Sequence, residues 1–403
     1  MHKSEICYHK STMNLTIKEA GSHQAYIVAS VKHPTNPDIA AESLYSRIAQ
    51  MLKERELKIV HERIFGSLGK ASQIVTTRAE ILCSQGISPE SPFSYIQGNP
   101  PWGEGLAGII IRAVSSSGRV KDVWTITDNS VPCGKGWQLN GSKYLILQNT
   151  QGEADSADST QTRTARAQHM FERANRILSQ QGASYKNVVR TWIYLSDILE
   201  WYDEFNEVRN RTYRDFGIMP GQNSHLLLPA STGIQGTVLN KAPVAMDLLA
   251  VVPGEDSQPM IQRMSSTRQI EAYHYYSAFS RGLLIIEPEV SELQVSGTAA
   301  INEEGKSLYP DDIRGQIDYT FNAVDALIRL ENVSLEDICA ATVFVKRPED
   351  IRIFQEMAGS RGLEDFPCVY VVADICRKEL LFEIDAEIVI KKGFQDSRIQ
   401  GVK

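Results

Sequence analysis

No stretch of this chain is apolar over the length that a bilayer crossing needs, and residues 1–21, MHKSEICYHKSTMNLTIKEAG, hold no hydrophobic core of the kind a signal peptide requires. A cytoplasmic protein with no membrane partner is expected. Positive charge is not in excess: 42 Lys and Arg against 49 Asp and Glu give a net charge of −7, which argues against nucleic acid as the main partner. Cysteine is sparse. Cys7, Cys83, Cys133, Cys339, Cys368 and Cys376 form no CxxC or other metal-ligand spacing, so buried, reduced thiols are expected. The eight histidines make no HxH, HxxxH or HExxH group, which leaves a metal site without ligands. GxGxxG and P-loop patterns are missing too, and no cofactor is expected.

What the chain does contain is repetition. Its 403 residues exceed one ordinary core and favour about two to four domains. In the middle third, KYLILQNT (143–150) reads as a strand. The helix after it puts Ala167, Met170, Phe171, Ala174, Ile177 and Leu178 on one face before Gly182 ends it. NVVRTWIYL (187–195) is a β-branched and aromatic strand, and ILEWYDEFNEVRNRTYRDFG is a second amphipathic helix ending at Gly217. Two extended segments, LLLPASTGI (226–234) and APVAMDLLAVV (242–252), close the unit. The same order returns downstream. Strand 291–301 precedes a helix with Ile317, Phe321, Val324, Leu327 and Ile328 on one face, followed by VSLEDICAATVFV (333–345), a short helix at 349–359, VYVVADI (369–375) and LLFEIDAEIVI (380–390). ASYKNVVRTWIYL lies over VSLEDICAATVFV without a gap. The first third gives a fainter copy, with strands at 24–31, 58–68 and 105–114, a helix with Leu44, Ile48, Met51 and Leu52 inward, and a second helix over 70–85. SSSGR (115–119) and residues 253–269 have the composition of linkers.

This order, together with the VVRTWIYLSDI…FNEVRNRTY block and QVSGTAAINEEGKSLYPDDIRGQ (294–316), resembles the RidA superfamily, also called the YjgF family. The resemblance implies an α+β, chorismate-mutase-like fold in three tandem units, 14–116, 117–256 and 265–392. These would form an intramolecular pseudo-trimer with sheets inside, helices outside and small-molecule clefts between units, standing alone or in a higher homo-oligomer. The family's endoribonuclease L-PSP and translation-inhibitor labels fit poorly, because an acidic chain lacks the basic track that RNA needs. Members that hydrolyse enamines and imines carry an arginine in a P-A-R-S segment. The matching segments here are Pro229-Ala230-Ser231-Thr232, Pro367-Cys368-Val369 and Pro92-Phe93-Ser94, none with arginine. A hydroxyl does not replace a bidentate guanidinium. PASTGI (229–234) and DICRKELLFEIDAEI (374–388) are similar to the chorismatases, RidA-related enzymes that cleave pyruvate from chorismate. That likeness implies Arg377 and Glu383 or Asp385 as site residues, with Gly297 and Thr298 on a neighbouring strand. The AAINEEG that follows lacks the histidine of that branch.

The residues themselves leave two readings at each candidate. In LLFEIDAEIVI, Phe382, Ile384, Ala386 and Ile388 share one face, and Glu383, Asp385 and Glu387 the other. Crowded carboxylates in a cleft would leave one of them protonated and able to act as a general acid; a solvated acidic face fits the same pattern. Arg377 reads as a carboxylate clamp or as an ion pair with Asp374 or Glu379. Ser231, Thr232 and Gly233 read as an anion cradle or as an ordinary turn. In AYHYYSAFSR, the aromatic patch Tyr273-His274-Tyr275-Tyr276 walls a ring-shaped ligand with Arg281 as a second anchor, or the aromatics simply pack the sheet. The expected function is cleavage of a small anionic enol ether, releasing pyruvate, at a cleft between units. Enamine or imine hydrolysis and non-catalytic ligand binding are the alternatives.

Overall fold

Strand-length apolar segments alternating with amphipathic helices fold into three mixed sheets in the computed structural model, which describes residues 13–20, 23–33, 36–115, 120–152, 162–219, 228–254 and 260–391. The first unit holds β1 (Met13–Ala20), β2 (Gln24–Val31), α1 (Pro37–Glu54), β3 (Leu57–Gly66), α2 (Ala71–Ser84), β4 (Ser94–Gln97) and β5 (Leu106–Ser115). The second holds β6 (Val120–Asp128), β7 (Val131–Leu139), β8 (Ser142–Thr150), α3 (Arg163–Gln180), β9 (Val188–Leu195), α4 (Ile198–Asp215), β10 (Ala230–Gln235) and β11 (Val244–Val252). The third holds β12 (Met260–Met264), β13 (Gly282–Ile286), β14 (Val290–Ala299), α5 (Ile313–Ile328), β15 (Ile338–Val345), α6 (Asp350–Gly359), β16 (Cys368–Val372) and β17 (Phe382–Lys391). A shared four-strand order runs through them: β2-β5-β3-β4, β8-β11-β9-β10 and β14-β17-β15-β16. In each, the last pair is parallel and the others antiparallel.

Each sheet is extended at its other edge by strands the sequence pattern hides: β1, the β6–β7 hairpin, and β12–β13. VKDVWTITD and VPCGKGWQL mix lysine, glycine and aspartate into a surface hairpin, which blurs the period-two signal. The segment 253–269, read as a linker, contains β12. Of the other joint only Ser115 is among the described residues, as are residues 228–234 of the expected strand 226–234. Cys7 also lies outside them. Among the cysteines, Cys83 is exposed and Cys133 half-buried, contrary to the expectation of burial; Cys339 and Cys368 are buried.

Period-two alternation gives every sheet two apolar faces. On the outer side, Phe382, Ile384, Ala386 and Ile388 pack with Ile317, Phe321 and Val324 of α5 and Phe354 of α6. The middle and first units build matching cores under α3 with α4 and under α1 with α2. On the inner side, Tyr26, Val28, Tyr144, Ile146, Trp192, Leu283, Ile285 and Phe344 from all three sheets meet in one common core. Helices are therefore outside and sheets inside. Backbone hydrogen bonds stitch the units in a cycle. Gln97 N donates to Thr237 O (2.8 Å), Gln235 N to Asp374 O (3.1 Å), and Val372 N to Asn99 O (2.9 Å). Buried ion pairs cross the inner core as well. Arg63 and Arg190 lie against the Trp192 ring, at 4.6 and 4.8 Å, and reach Glu387 (2.7 Å) and Asp385 (3.2 Å) respectively. No helix among the described residues is long and apolar enough to cross a membrane.

Candidate active site

Where the second and third units meet, β10 runs beside β14. Ala230 bridges Ser280, Ser280 N donates to Pro229 O (3.0 Å), and Ser231 N donates to Ser296 Oγ (2.8 Å). Beside this seam lies a pocket of about 480 Å³ including its mouth. Helix α4 contributes Tyr202 and Arg209, seven residues apart and so on one face, and β10 contributes Ser231 and Gly233. The third unit supplies Tyr275, Phe279 and Arg281 from the chain entering β13, Gly297 from β14, Arg377 from the loop before β17, and Glu383 from β17. A wider vestibule outside shares Tyr202, Tyr275, Cys376 and Arg377 with the pocket.

Glu383 is the one carboxylic acid lining the pocket, and it is only 4% exposed. Burial pushes its carboxyl up to about 8, the Asp385 charge adds to this, and Arg190 and Arg281 oppose it. The cations around it are braced without being neutralised. Arg281 donates to Ile270 O through Nε (3.0 Å) and Nη2 (2.7 Å), and to the Tyr275 hydroxyl (2.7 Å). Arg377 Nη1 donates to Gly305 O (2.8 Å) and Ser307 Oγ (3.2 Å). Arg209 donates to Asn206 Oδ1 (2.5 Å) and lies against Phe205 and Phe279. Among the described residues none of the three forms an ion pair with a carboxylate. The pocket therefore joins a buried carboxyl of raised pKa with three guanidinium groups, an arrangement suited to a small polyanion that must accept a proton.

Gly297 makes room for the acid: a Cβ at that position would stand 2.3 Å from Glu383 Oε1. Gly297→Ala is expected to push Glu383 out of place and to cost about 1–3 kcal/mol of stability. Chemical denaturation measures the cost, and a wild-type midpoint would contradict the packing described.

Of the residues singled out in the sequence, Ser231, Gly233, Arg281, Gly297, Arg377 and Glu383 come together in the pocket. Four do not line it. Asp385 and Thr232 point into the inner core, where Thr232 Oγ1 donates to Asp385 Oδ2 (2.9 Å). Thr298 donates to Ser296 O (2.9 Å) on its own strand. Tyr273 lies against His274, with ring centroids 4.4 Å apart and planes tilted by 43°, because the turn Ala272–Tyr275 is 3-10 helical and brings Tyr275 to the pocket instead. Arg377 makes no close ion pair with Asp374, which pairs with Lys346 at 3.3 Å. A hydrogen bond with Ser307 is the main influence holding the Glu379 carboxyl below its ordinary value, and the Arg377 charge is only one of the smaller ones. Of the aromatic patch Tyr273-His274-Tyr275-Tyr276, Tyr275 is the ring that lines the pocket. Sequence reasoning missed Tyr202, Arg209 and Phe279; the seven-residue spacing of Tyr202 and Arg209 was the available signal for two of them.

The other two clefts lack this constellation. By strand register, Glu383 lies opposite Phe344, and the corresponding partners of Tyr194 and Phe65 are Ala245 and Gly108, which have no carboxyl. Gly233, opposite Ile193, is replaced by Tyr95 opposite Ile64 and by Tyr370 opposite Val343. Four residues beyond the helix core residues Phe205, Phe354 and Ile74 stand Arg209, Ala358 and Arg78. Arg78 is consumed within its own unit: its Nε and Nη2 donate to both Glu62 oxygens (2.6–3.0 Å). The cleft between the third and first units keeps a hollow beside Lys32, His33 and Tyr370; its lining includes Glu364 and Asp365 but no arginine, and Gly108 stands at the position corresponding to Glu383.

Residues 151–252 match the sequence profile of the family described as Endoribonuclease L-PSP. A 3-hydroxybenzoate synthase of Streptomyces hygroscopicus is 25% identical over 232 residues, covering 51% of this chain and 64% of the relative. A chorismatase of the same organism is 25% identical over 227 residues, covering 51% and 62%. The matched region thus spans just under two thirds of each relative. A crystal structure of a chorismatase superposes with a TM-score of 0.59 at 18% identity, covering 82% of this chain and 92% of the other, which is a likeness of fold.

Proposed function

We propose that this chain, whose residues 151–252 match the Endoribonuclease L-PSP family profile and whose three sheets share the fold of a chorismatase, is a RidA/YjgF-type enzyme that cleaves an anionic enol ether, with release of pyruvate, in the cleft between the second and third units. The observation that carries this reading is Glu383, an acid raised to about 8 within a pocket shared by Arg209, Arg281 and Arg377. In the reaction, the Glu383 carboxyl gives its proton to the enol-ether methylene, and the ether oxygen stabilises the resulting cation. Water adds to the former enol carbon and returns a proton to Glu383. The hemiketal then collapses, breaking the carbon–oxygen bond to give pyruvate and an alcohol. The arginines hold the substrate carboxylates, and the aromatic walls of Tyr202, Tyr275 and Phe279 exclude bulk water from the reacting carbon. Incubating the full chain with chorismate and assaying pyruvate tests this. Release no faster than with Glu383→Gln would end the reading.

The pH dependence follows from the same group. A general acid must be protonated, so pyruvate release is expected to fall as pH rises through about 8. Stability moves in the same direction. The folded-state value lies above the ordinary 4.5, so the folded chain binds the extra proton between those limits, and stability declines as pH rises from about 4.5 to about 8. Unfolding free energies across that range check the sign, with Glu383→Gln removing the slope due to this group.

A second reading, enamine or imine hydrolysis, draws support from Arg209 and Arg281 sharing the pocket with Ser231. They offer the anion anchor that the Ser231 position itself lacks. Turnover of a 2-aminoacrylate-type substrate, with chorismate untouched, would select it.

A further inference from the structure

Asp385 stands two residues beyond Glu383 on the same face of β17, but in a different setting. Arg190 Nη2 reaches its Oδ2 at 3.2 Å, Thr232 Oγ1 donates to the same oxygen at 2.9 Å, and Thr342 N donates to Oδ1 at 3.1 Å. Arg63 Nη1 lies 4.0 Å away. At 2% exposure no solvent screens these contacts. Three donors converge on this one carboxyl. Glu383, by contrast, receives no hydrogen bond among the described residues. The charged groups facing it are Arg209 from α4, Arg281 from the chain before β13, Arg377 from the loop before β17, and Arg190 and Asp385 from behind. Tyr202, Tyr275 and Cys376 are the other titratable groups at the pocket wall. Two carboxyls on neighbouring inward positions of one strand, both out of water, do not ionise together at low cost, and the distribution of donors decides which keeps its proton.

We propose that Asp385 is a positioning residue that keeps the proton on Glu383. Arg190 and Thr232 belong to the second unit and Asp385 to the third, so the docking of the two units sets the charge state of the acid. This rests on Glu383 as the proton donor of the reaction above, and reassigns Asp385 from proton donor to the fixed charge behind it. The inner-core arginine has no place in substrate binding: Arg190 is wholly buried against Trp192 and does not line the pocket.

Infrared spectroscopy of the full chain tests where the proton sits. The wild type should show a protonated carboxyl band that disappears as pH rises through about 8, and Glu383→Gln should lack it. In Asp385→Asn the loss of the band should move down by about one pH unit or more. The fall in pyruvate release at high pH should move with it, and Asp385→Glu should restore both. The proposal is overturned if Asp385→Asn lowers the rate without moving either profile. It is also overturned if the wild-type band survives Glu383→Gln, because Asp385 would then hold the proton. Should Asp385→Asn not fold, the wild-type and Glu383→Gln spectra still decide between the two carboxyls. Should the wild type leave chorismate untouched, the reaction is refuted while the band still locates the proton.

Discussion

Glu383→Gln is expected to lower pyruvate release from chorismate by about 10²–10⁴-fold, the usual contribution of a positioned general acid. The substitution keeps the side chain's shape, so the contacts with Gly297 and the pocket wall survive, as do all three arginines. Binding should therefore change far less than turnover, and the loss should appear in kcat rather than in KM. Calorimetric titration with chorismate separates the two effects. A variant that turns over within a few-fold of the wild type would mean that the proton comes from elsewhere. The same variant should gain stability relative to the wild type above pH 8, where the wild type must bury an ionised carboxylate and the glutamine does not.

The second large effect lies far from the pocket. Arg78→Met should destabilise the first unit by about 3–5 kcal/mol, because Glu62, wholly buried, would lose its bidentate partner and keep only the Tyr45 hydroxyl at 2.9 Å. Arg78 also donates to Pro89 O (2.9 Å) and Ser91 O (3.2 Å) and covers the Phe93 ring at 4.4 Å, so the loop leading to β4 loses its anchor as well. Adding Glu62→Gln to Arg78→Met should return part of the loss by removing the stranded charge, and a double-mutant cycle in urea reads the coupling. Additive effects would show that the pair is not coupled. Pyruvate release by the folded fraction of these variants, expected to match the wild type on the proposed reading, supplies an internal control.

Much of this architecture was legible because the relevant segments carry their own signal. Helix α3 and helix α5 announce themselves by apolar residues at helical spacing, and the two-residue period of β17 puts Glu383, Asp385 and Glu387 on one face; that this face turns inward does not follow from the period, which fits a solvated face equally well. The misses have physical causes of three kinds. Arg209 looks like any arginine on an amphipathic helix until a strand from the next unit comes to face it, and that contact is non-local. Which ring of the Tyr273-His274-Tyr275-Tyr276 patch faces the pocket depends on the 3-10 turn and the left-handed backbone at Tyr276 (φ 69°), which no residue pattern announces. Val369 was matched to Ser231 by counting from the prolines. Strand pairing instead sets Cys368 opposite Ala341 as Ser231 is opposite Thr191, and Val369 faces the inner core. A slip of one residue exchanges the two faces of a strand.

The contrast between Gly233 and its counterparts Tyr95 and Tyr370 also carries, on the proposed reading, an expected stoichiometry. A ring of identical subunits repeats every substitution at each of its seams, so a change that suits one opening is imposed on all. Here each seam has its own residues. A tight inhibitor carrying two carboxylates should titrate one equivalent per polypeptide, and filling out the two tyrosine-bearing seams should harden the scaffold without reaching the chemistry.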